Sequence, residues 1–215
     1  MSTDTKPPTL VGLLSGPDRP GIVADISSWV FNNGGNILHA DQHHDHLDNI
    51  FFQRVEWASG NNDPLQMLDD FARTAVSDWQ MQVRVALSTD RPKVAILVSK
   101  QDHCFHDLLH RFRAGEYNAN LVCTVSNHPD LREFAERDGV PFHHVPVSAD
   151  TKPAAEEEQL ALLANYQPDL IVLARYMQVL SGDFLSRCGC PVINIHHSSL
   201  PAFAGAKPYH QAYQR

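Results

Sequence analysis

Val94-Ala95-Ile96-Leu97-Val98 is an unbroken apolar run near the middle of the chain. A run with no polar alternation is typical of a strand that is covered on both faces in a parallel sheet. Strand and helix patterns alternate after it, with strands predicted at residues 121–125, 142–147, 170–174 and 191–195 and helices at residues 131–138, 154–166 and 183–188. This alternation predicts an α/β domain with a doubly wound, mostly parallel sheet of the Rossmann type.

A different pattern precedes this run. Residues 9–87 contain strand and helix patterns in the order βαββαβ, which is typical of a ferredoxin-like unit. The polar, proline-containing residues 88–93 separate two apolar strands. We therefore predict a first domain at residues 1–87, a linker at 88–93 and a second domain at 94–215. Because residues 208–215 look like the start of a helix with nothing after it to pack against, we expect the second domain to continue beyond Arg215.

The composition excludes several classes of protein. A net charge of -8 argues against a general nucleic-acid binder, whose affinity depends on lysine and arginine neutralising phosphates. No apolar run is long enough to span a bilayer, and the N-terminus lacks the basic and apolar layout of a signal peptide. We therefore expect a cytoplasmic protein whose partners include neither nucleic acid nor membrane.

Two groups of residues raise the question of a metal site. Cys188 and Cys190 form a C-x-C pair, but a zinc site needs a second closely spaced pair, so thiols packed as small apolar groups are the favoured interpretation. The histidine and aspartate residues at 43–46 follow a strand predicted at residues 36–41. They could hold a metal, but a solvated loop is favoured because no distant partner of fixed spacing is visible. We predict no metal site.

Asn194 and His196 are the first candidates for catalysis. Strand residues two apart point to the same side, and this pair comes at the carboxyl end of a predicted parallel strand, where ligands of such sheets bind. A carboxamide and an imidazole at one place can both donate hydrogen bonds to a carbonyl oxygen as it becomes anionic. The spacing alone is equally compatible with two side chains that cap the strand end.

A longer match surrounds this pair. Residues 193–205 read I-N-I-H-H-S-S-L-P-A-F-A-G and resemble the I-N-I-H-x-S-x-L-P-x-F-x-G signature of the folate-dependent formyltransferase family. The resemblance implies that Asn194 and His196 are catalytic and that a third catalytic residue, an aspartate, lies beyond Arg215. We also expect Ser199, within the match, and Lys207, by its position, to contact the substrate.

A second segment is similar to the same family. Residues 173–181 read L-A-R-Y-M-Q-V-L-S and resemble the L-A-x-[FY]-M-x-[IV]-L-S segment, whose backbone grips the pterin. The resemblance implies that Met177, Gln178, Val179 and Leu180 bind the substrate. A buried strand followed by a helix start would explain the apolar residues here, but not Gln178 among them.

The loop after the first parallel strand departs from one branch of that family. Transferases that act on glycinamide ribonucleotide carry a glycine-rich loop there, which cradles the substrate phosphate with backbone N–H groups. This chain reads Ser99-Lys100-Gln101-Asp102-His103-Cys104 at that place, without a glycine. Because Asp102 would repel a phosphate, we do not expect an acceptor phosphate site.

The N-terminal unit carries its own resemblance. Asp18-Arg19-Pro20-Gly21-Ile22-Val23, with Asn36-Ile37 after the helix, resembles the ACT domain, a regulatory module that often binds amino acids between subunits. The resemblance implies a regulatory ligand at Asp18, Gly21, Asn36 and Ile37, an amino-acid effector and a homo-oligomer.

An ACT unit joined to a formyltransferase-like domain resembles the formyltetrahydrofolate deformylase family, which belongs to the one-carbon metabolism that serves purine biosynthesis. This implies hydrolysis of 10-formyltetrahydrofolate to formate and tetrahydrofolate, with no cofactor beyond the folate substrate. Two alternatives stay open. The chain could be a formyltransferase that delivers the group to an amine acceptor, or a non-catalytic sensor that binds folate or an amino acid.

Overall fold

The computed structural model describes residues 8–194, and the chain divides into two compact units between Asp90 and Arg91. His196, Ser199 and Lys207 lie outside the described residues, as does the predicted helix start at 208–215. The domain limits given above stay predictions.

The first unit has the order βαββαβ. Its elements are β1 (Leu10–Pro17), α1 (Ile22–Asn32), β2 (Asn36–Asp45), β3 (Ile50–Ala58), α2 (Pro64–Ser77) and β4 (Gln82–Leu87). The strands form an antiparallel sheet in the order β2-β3-β1-β4, as the ferredoxin-like pattern predicts. β2 and β4 are therefore the edges of this sheet.

The core of the first unit lies between the sheet and its two helices. α1 contributes Ile22, Ile26 and Val30, and Phe71 of α2 packs its ring 4.6 Å from that of Trp57 on β3. α2 begins with Pro64 in its first turn and the Asp63 side chain accepting a hydrogen bond from Gln66 N. Val23 of α1 and Leu65 of α2 lie outside this core and are 37% and 63% exposed.

One local prediction in this unit is wrong. The solvated loop expected at His43, His44 and Asp45 is instead the end of β2, which pairs with the start of β3 as far as Asp45 and Ile50. The polar composition misled the prediction because β2 is an edge strand, and most of its residues are exposed.

The second unit alternates strands and helices throughout its described part. Its elements are β5 (Lys93–Val98), α3 (His103–Ala114), β6 (Asn120–Ser126), α4 (Arg132–Arg137), β7 (Phe142–His144), α5 (Lys152–Tyr166), β8 (Leu170–Ala174), α6 (Gly182–Arg187) and β9 (Val192–Asn194). The strands are all parallel, in the order β7-β6-β5-β8-β9.

Helices cover both faces of this sheet, which confirms the doubly wound arrangement. Alternate residues of β5 explain it: Ala95 and Leu97 belong to a core with Leu163 of α5 and Phe184 of α6. Ile96 and Val98 belong to a separate core with residues of α3 and α4. A strand whose two faces are both buried must be apolar at every position, and this is the physical basis of the run at residues 94–98.

Two features are absent from residues 8–194. No helix in this range is both long enough and apolar enough to cross a membrane. The same range holds no group of three or more histidine, cysteine, aspartate or glutamate side chains arranged to hold a metal ion.

Candidate active site

The carboxyl ends of three neighbouring strands define the candidate site. Leu97 of β5 pairs with Leu173 of β8, and Leu173 pairs with Asn194 of β9. The chain leaves β5 towards β6 on one side and later returns to β8 on the other, so β5 and β8 flank the point at which the strand order reverses. Ligands of open α/β sheets bind in the crevice at such a point.

Asn194 is the last residue of β9 and is exposed. Val192, two residues earlier on the same side of the strand, packs against the core beneath α5 and α6. The side chain of Asn194 therefore lies on the same face of β9 as Val192, two residues further along the strand. Its predicted partner His196 lies outside the described residues, so the pairing of the two groups stays a prediction.

The segment 175–181 leaves the carboxyl end of β8 and carries the four predicted pterin contacts. Met177 and Val179 are 61% and 81% exposed, and Gln178 and Leu180 are half-buried. Met177 and Val179 together present apolar surface to solvent. We call residues 175–181 the folate loop below, after the folate contacts that the sequence resemblance predicts for them.

The backbone turns sharply where this loop begins. Arg175 has a φ of 59°, in the left-handed region that a residue with a Cβ seldom adopts. Outliers of this kind cost free energy and cluster at functional sites. The sequence predictions did not identify Arg175, and an arginine gives no signal of a positive φ.

Hydrogen bonds hold the folate loop at both ends. Met177 N donates to the Ser99 hydroxyl at 2.9 Å, and Ser181 N donates to the Glu156 carboxylate at 3.0 Å. Just before Met177, the buried Tyr176 hydroxyl accepts from Gln159 Nε2 at 2.9 Å, and burial raises the pKa of this phenol. The roles of Ser99, Glu156 and Gln159 were missed from the sequence, because no local pattern marks a polar residue that bonds to a distant loop.

The loop after β5 leads to an acidic residue at the start of a helix. Asp102 stands at the N-terminus of α3, where backbone N–H groups and the helix dipole would otherwise favour an anion. Its carboxylate lies 3.7 Å from His106 Nε2 and is largely exposed. A carboxylate at this helix end opposes phosphate binding, and the absence of an acceptor phosphate site stays a prediction.

The His143 ring and the Cys123 thiol of the second unit have structural roles. The His143 ring nitrogen Nε2 lies 2.7 Å from the Tyr166 hydroxyl of α5, and burial lowers the pKa of this histidine, with a smaller contribution from Arg132. Cys123 is fully buried in the core, and burial raises the pKa of its thiol to about 12. A thiol this hard to ionise behaves as a small apolar group.

The four predicted regulatory residues form two separate pairs within the first unit. Asp18 and Gly21 line an open hollow of about 640 Å³ at the start of α1. Asn36 and Ile37 begin β2 and pair with the far end of β3, whereas Pro17, next to Asp18, pairs with its near end. At about 3.3 Å per residue, the two ends of β3 are separated by roughly 26 Å along the strand.

The histidines near the end of β2 contact one another, and His44 also lies close to Asp18, which lines the hollow at the start of α1. His44 Nε2 lies 3.2 Å from Asn49 Oδ1 and 3.7 Å from Asp18 Oδ2, and its ring meets that of His46 edge to face. These contacts account for the cluster as a polar network at the turn between β2 and β3.

Comparisons with known proteins agree with this architecture. The family described as Formyl transferase matches residues 92–215. A formyltetrahydrofolate deformylase of Synechocystis sp. is 45% identical over 208 residues, which cover 94% of this chain and 72% of that protein. The chain belongs to the formyltetrahydrofolate deformylase family.

Solved structures separate this family from the transferases. The formyltetrahydrofolate deformylase of Pseudomonas syringae pv. tomato matches 99% of this chain with a TM-score of 0.83 and 38% identity, and the match covers 72% of that structure. Glycinamide ribonucleotide transformylase 1 of Symbiobacterium toebii matches 60% of this chain and 62% of its own, with a TM-score of 0.52 and 27% identity. The resemblance to deformylases thus extends over both units.

Proposed function

We propose that this chain hydrolyses 10-formyltetrahydrofolate to formate and tetrahydrofolate. The observation that carries the proposal is the extent of the similarity. Proteins named formyltetrahydrofolate deformylase match 94% of the chain in sequence and 99% in structure, whereas a transformylase matches 60%. The carboxylate of Asp102 at the helix end that a phosphorylated acceptor would need adds support. Delivery to an amine acceptor has no comparable support.

Asn194 is the proposed donor to the reacting oxygen. The N10-formyl group is an amide, so attack by water at its carbon places negative charge on the carbonyl oxygen. The exposed carboxamide at the end of β9 is free to donate to that oxygen. His196, as imidazolium, is the second proposed donor to the same oxygen, and it lies outside the described residues.

The proton balance requires one more group. The attacking water loses a proton to a general base, for which the resemblance supplies an aspartate beyond Arg215. The carbon–nitrogen bond then breaks as the general base returns this proton to N10, and formic acid leaves and ionises to formate. No electrons are transferred, and the donors polarise the carbonyl, so we propose that the reaction needs no metal or redox cofactor.

The folate loop is the proposed pterin site. Its exposed Met177 and Val179 offer apolar surface to a ring, while its backbone offers hydrogen-bonding groups to the pterin edge. Gln178 and Leu180 complete the contact within the loop, and Ser199 and Lys207 are proposed contacts outside the described residues.

For the first unit, we propose a regulatory role of the ACT type with an amino-acid effector. The βαββαβ order and the hollow at Asp18 and Gly21 support it. Because Asn36 and Ile37 lie at the other end of β3, all four residues can share one ligand only if a second copy supplies one pair. The proposal therefore includes a homo-oligomer, and the long exposed edge strand β2 supports that as well.

Formate release tests the enzymatic proposal. Full-length protein is incubated with 10-formyltetrahydrofolate in buffer without any amine, and formate and tetrahydrofolate are measured. Hydrolysis predicts the two products in equal amounts. Turnover that depends strictly on an added amine would identify a transferase, and binding without turnover would identify a sensor.

A further inference from the structure

One buried hydroxyl group links two neighbouring strand ends to the folate loop. Ser99 is the first residue beyond β5 and is 2% exposed. Its hydroxyl donates to Asn127 Oδ1 at 2.6 Å and accepts from Met177 N at 2.9 Å. Asn127 follows the end of β6 and is 6% exposed.

The chemistry of this contact needs a hydroxyl. A serine side chain offers one O–H donor and two acceptor lone pairs, so it can donate to a carboxamide and accept from a backbone N–H at the same time. Asn127 fixes the direction in which the hydroxyl hydrogen points, which leaves a lone pair available for Met177 N. Because both side chains are buried, water cannot replace either bond without a cost in free energy.

The surroundings of Met177 make this bond important. The side chains of Met177 and Val179 project into solvent and contribute little packing to hold the loop. Backbone anchors must therefore set the path of residues 177–180, and the anchor at the other end is the contact of Ser181 with Glu156. A loop that grips its ligand through backbone groups loses affinity when that backbone moves by fractions of an ångström.

We propose that Ser99 and Asn127 are a positioning pair that fixes the backbone of the folate loop for folate binding. The inference rests on the proposed function, since it assigns these residues to the same site. Neither side chain touches the reacting formyl group. Their loss should therefore weaken binding of the folate more than it slows the chemical step.

Steady-state kinetics of Ser99→Ala test the inference. We expect the KM for 10-formyltetrahydrofolate to rise by about tenfold with a much smaller change in kcat. Asn127→Leu removes the acceptor and should give a similar rise, and the double variant should be no worse than either single one because both break the same link. Asn127→Asp retains an acceptor oxygen and should recover part of the lost affinity.

Ser126→Ala is the matched control. Ser126 is also a buried serine that accepts a hydrogen bond from a backbone N–H, but its partner is His128 and not the folate loop. Its KM should stay at the wild-type value. Thermal denaturation checks that each variant folds.

The outcome separates this inference from the proposed function. An unchanged KM in Ser99→Ala, or a fall in kcat alone, overturns the positioning role even if the wild type releases formate. If the wild type releases no formate, the Kd for tetrahydrofolate from calorimetry replaces KM, and the same pattern across the variants supports the pair.

Discussion

Glu156 on α5 accepts two hydrogen bonds from Ser181, one from the backbone N–H at 3.0 Å and one from the hydroxyl group. The same hydroxyl accepts from Phe184 N and so caps α6. One carboxylate therefore joins the end of the folate loop, the start of α6 and the helix behind them.

Glu156→Ala should destabilise the protein by about 1–3 kcal/mol, because it leaves Ser181 N and its hydroxyl without their partner in a partly buried place. The KM for the folate should rise as the loop loosens. Chemical denaturation and steady-state kinetics measure the two effects. The control is Glu158→Ala, an exposed glutamate of the same helix. Equal stability of the two variants would show that the Ser181 contact contributes nothing.

Asn194→Ala should lower kcat by about 10²–10³, the usual cost of losing one donor to an oxyanion. Asn194→Asp keeps the size but presents negative charge to the developing anion, so its loss should be at least as large. Ile193→Ala is the control, since that exposed side chain points to the opposite face of β9. A kcat near the wild-type value in Asn194→Ala would remove this residue from the mechanism.

Acid should weaken the second unit partly through His143. Burial lowers the pKa of this ring in the folded state, so the unfolded chain binds the proton more readily. The free energy of unfolding must then fall as the pH drops below the ordinary histidine pKa of about 6.5, until the lower folded pKa is passed. Above that window the contribution is constant. Thermal melts of wild type and His143→Gln between neutral pH and pH 5 should show a shallower decline in the variant.

A chelator should leave the hydrolysis rate unchanged. The proposed mechanism polarises the formyl oxygen with hydrogen-bond donors from the protein, which makes a bound metal unnecessary. The rate is measured after prolonged dialysis against EDTA and again after addition of zinc or magnesium. Loss of activity that a metal restores would contradict the proposal of no cofactor.

The amino-acid sequence predicts the order of the strands and helices well because a buried strand or helix requires a local pattern of apolar residues. The apolar run at 94–98 predicts a strand covered on both faces, and the structure places this strand at the centre of the parallel sheet. Edge strands require fewer apolar residues, and for that reason the sequence predicts an end of β2 before His43.

Polar contacts between distant segments cannot be predicted from a local sequence pattern. Met177 and Ser99 are 78 residues apart, and nothing in either neighbourhood specifies that they bond. The glutamates at 156–158 show the same limit. Glu156 bonds to Ser181 and Glu157 pairs with Arg187, and no local pattern in the sequence specifies either contact.

The source of the oxygen in the released formate tests the central claim most directly. The full-length protein turns over 10-formyltetrahydrofolate in ¹⁸O-labelled water without an amine, and mass spectrometry measures the formate, with a reaction without enzyme as the background for uncatalysed hydrolysis. Attack by water on the formyl carbon predicts one labelled oxygen in each formate released by the enzyme. Formate without the label, or no formate above the background without enzyme, would contradict the account.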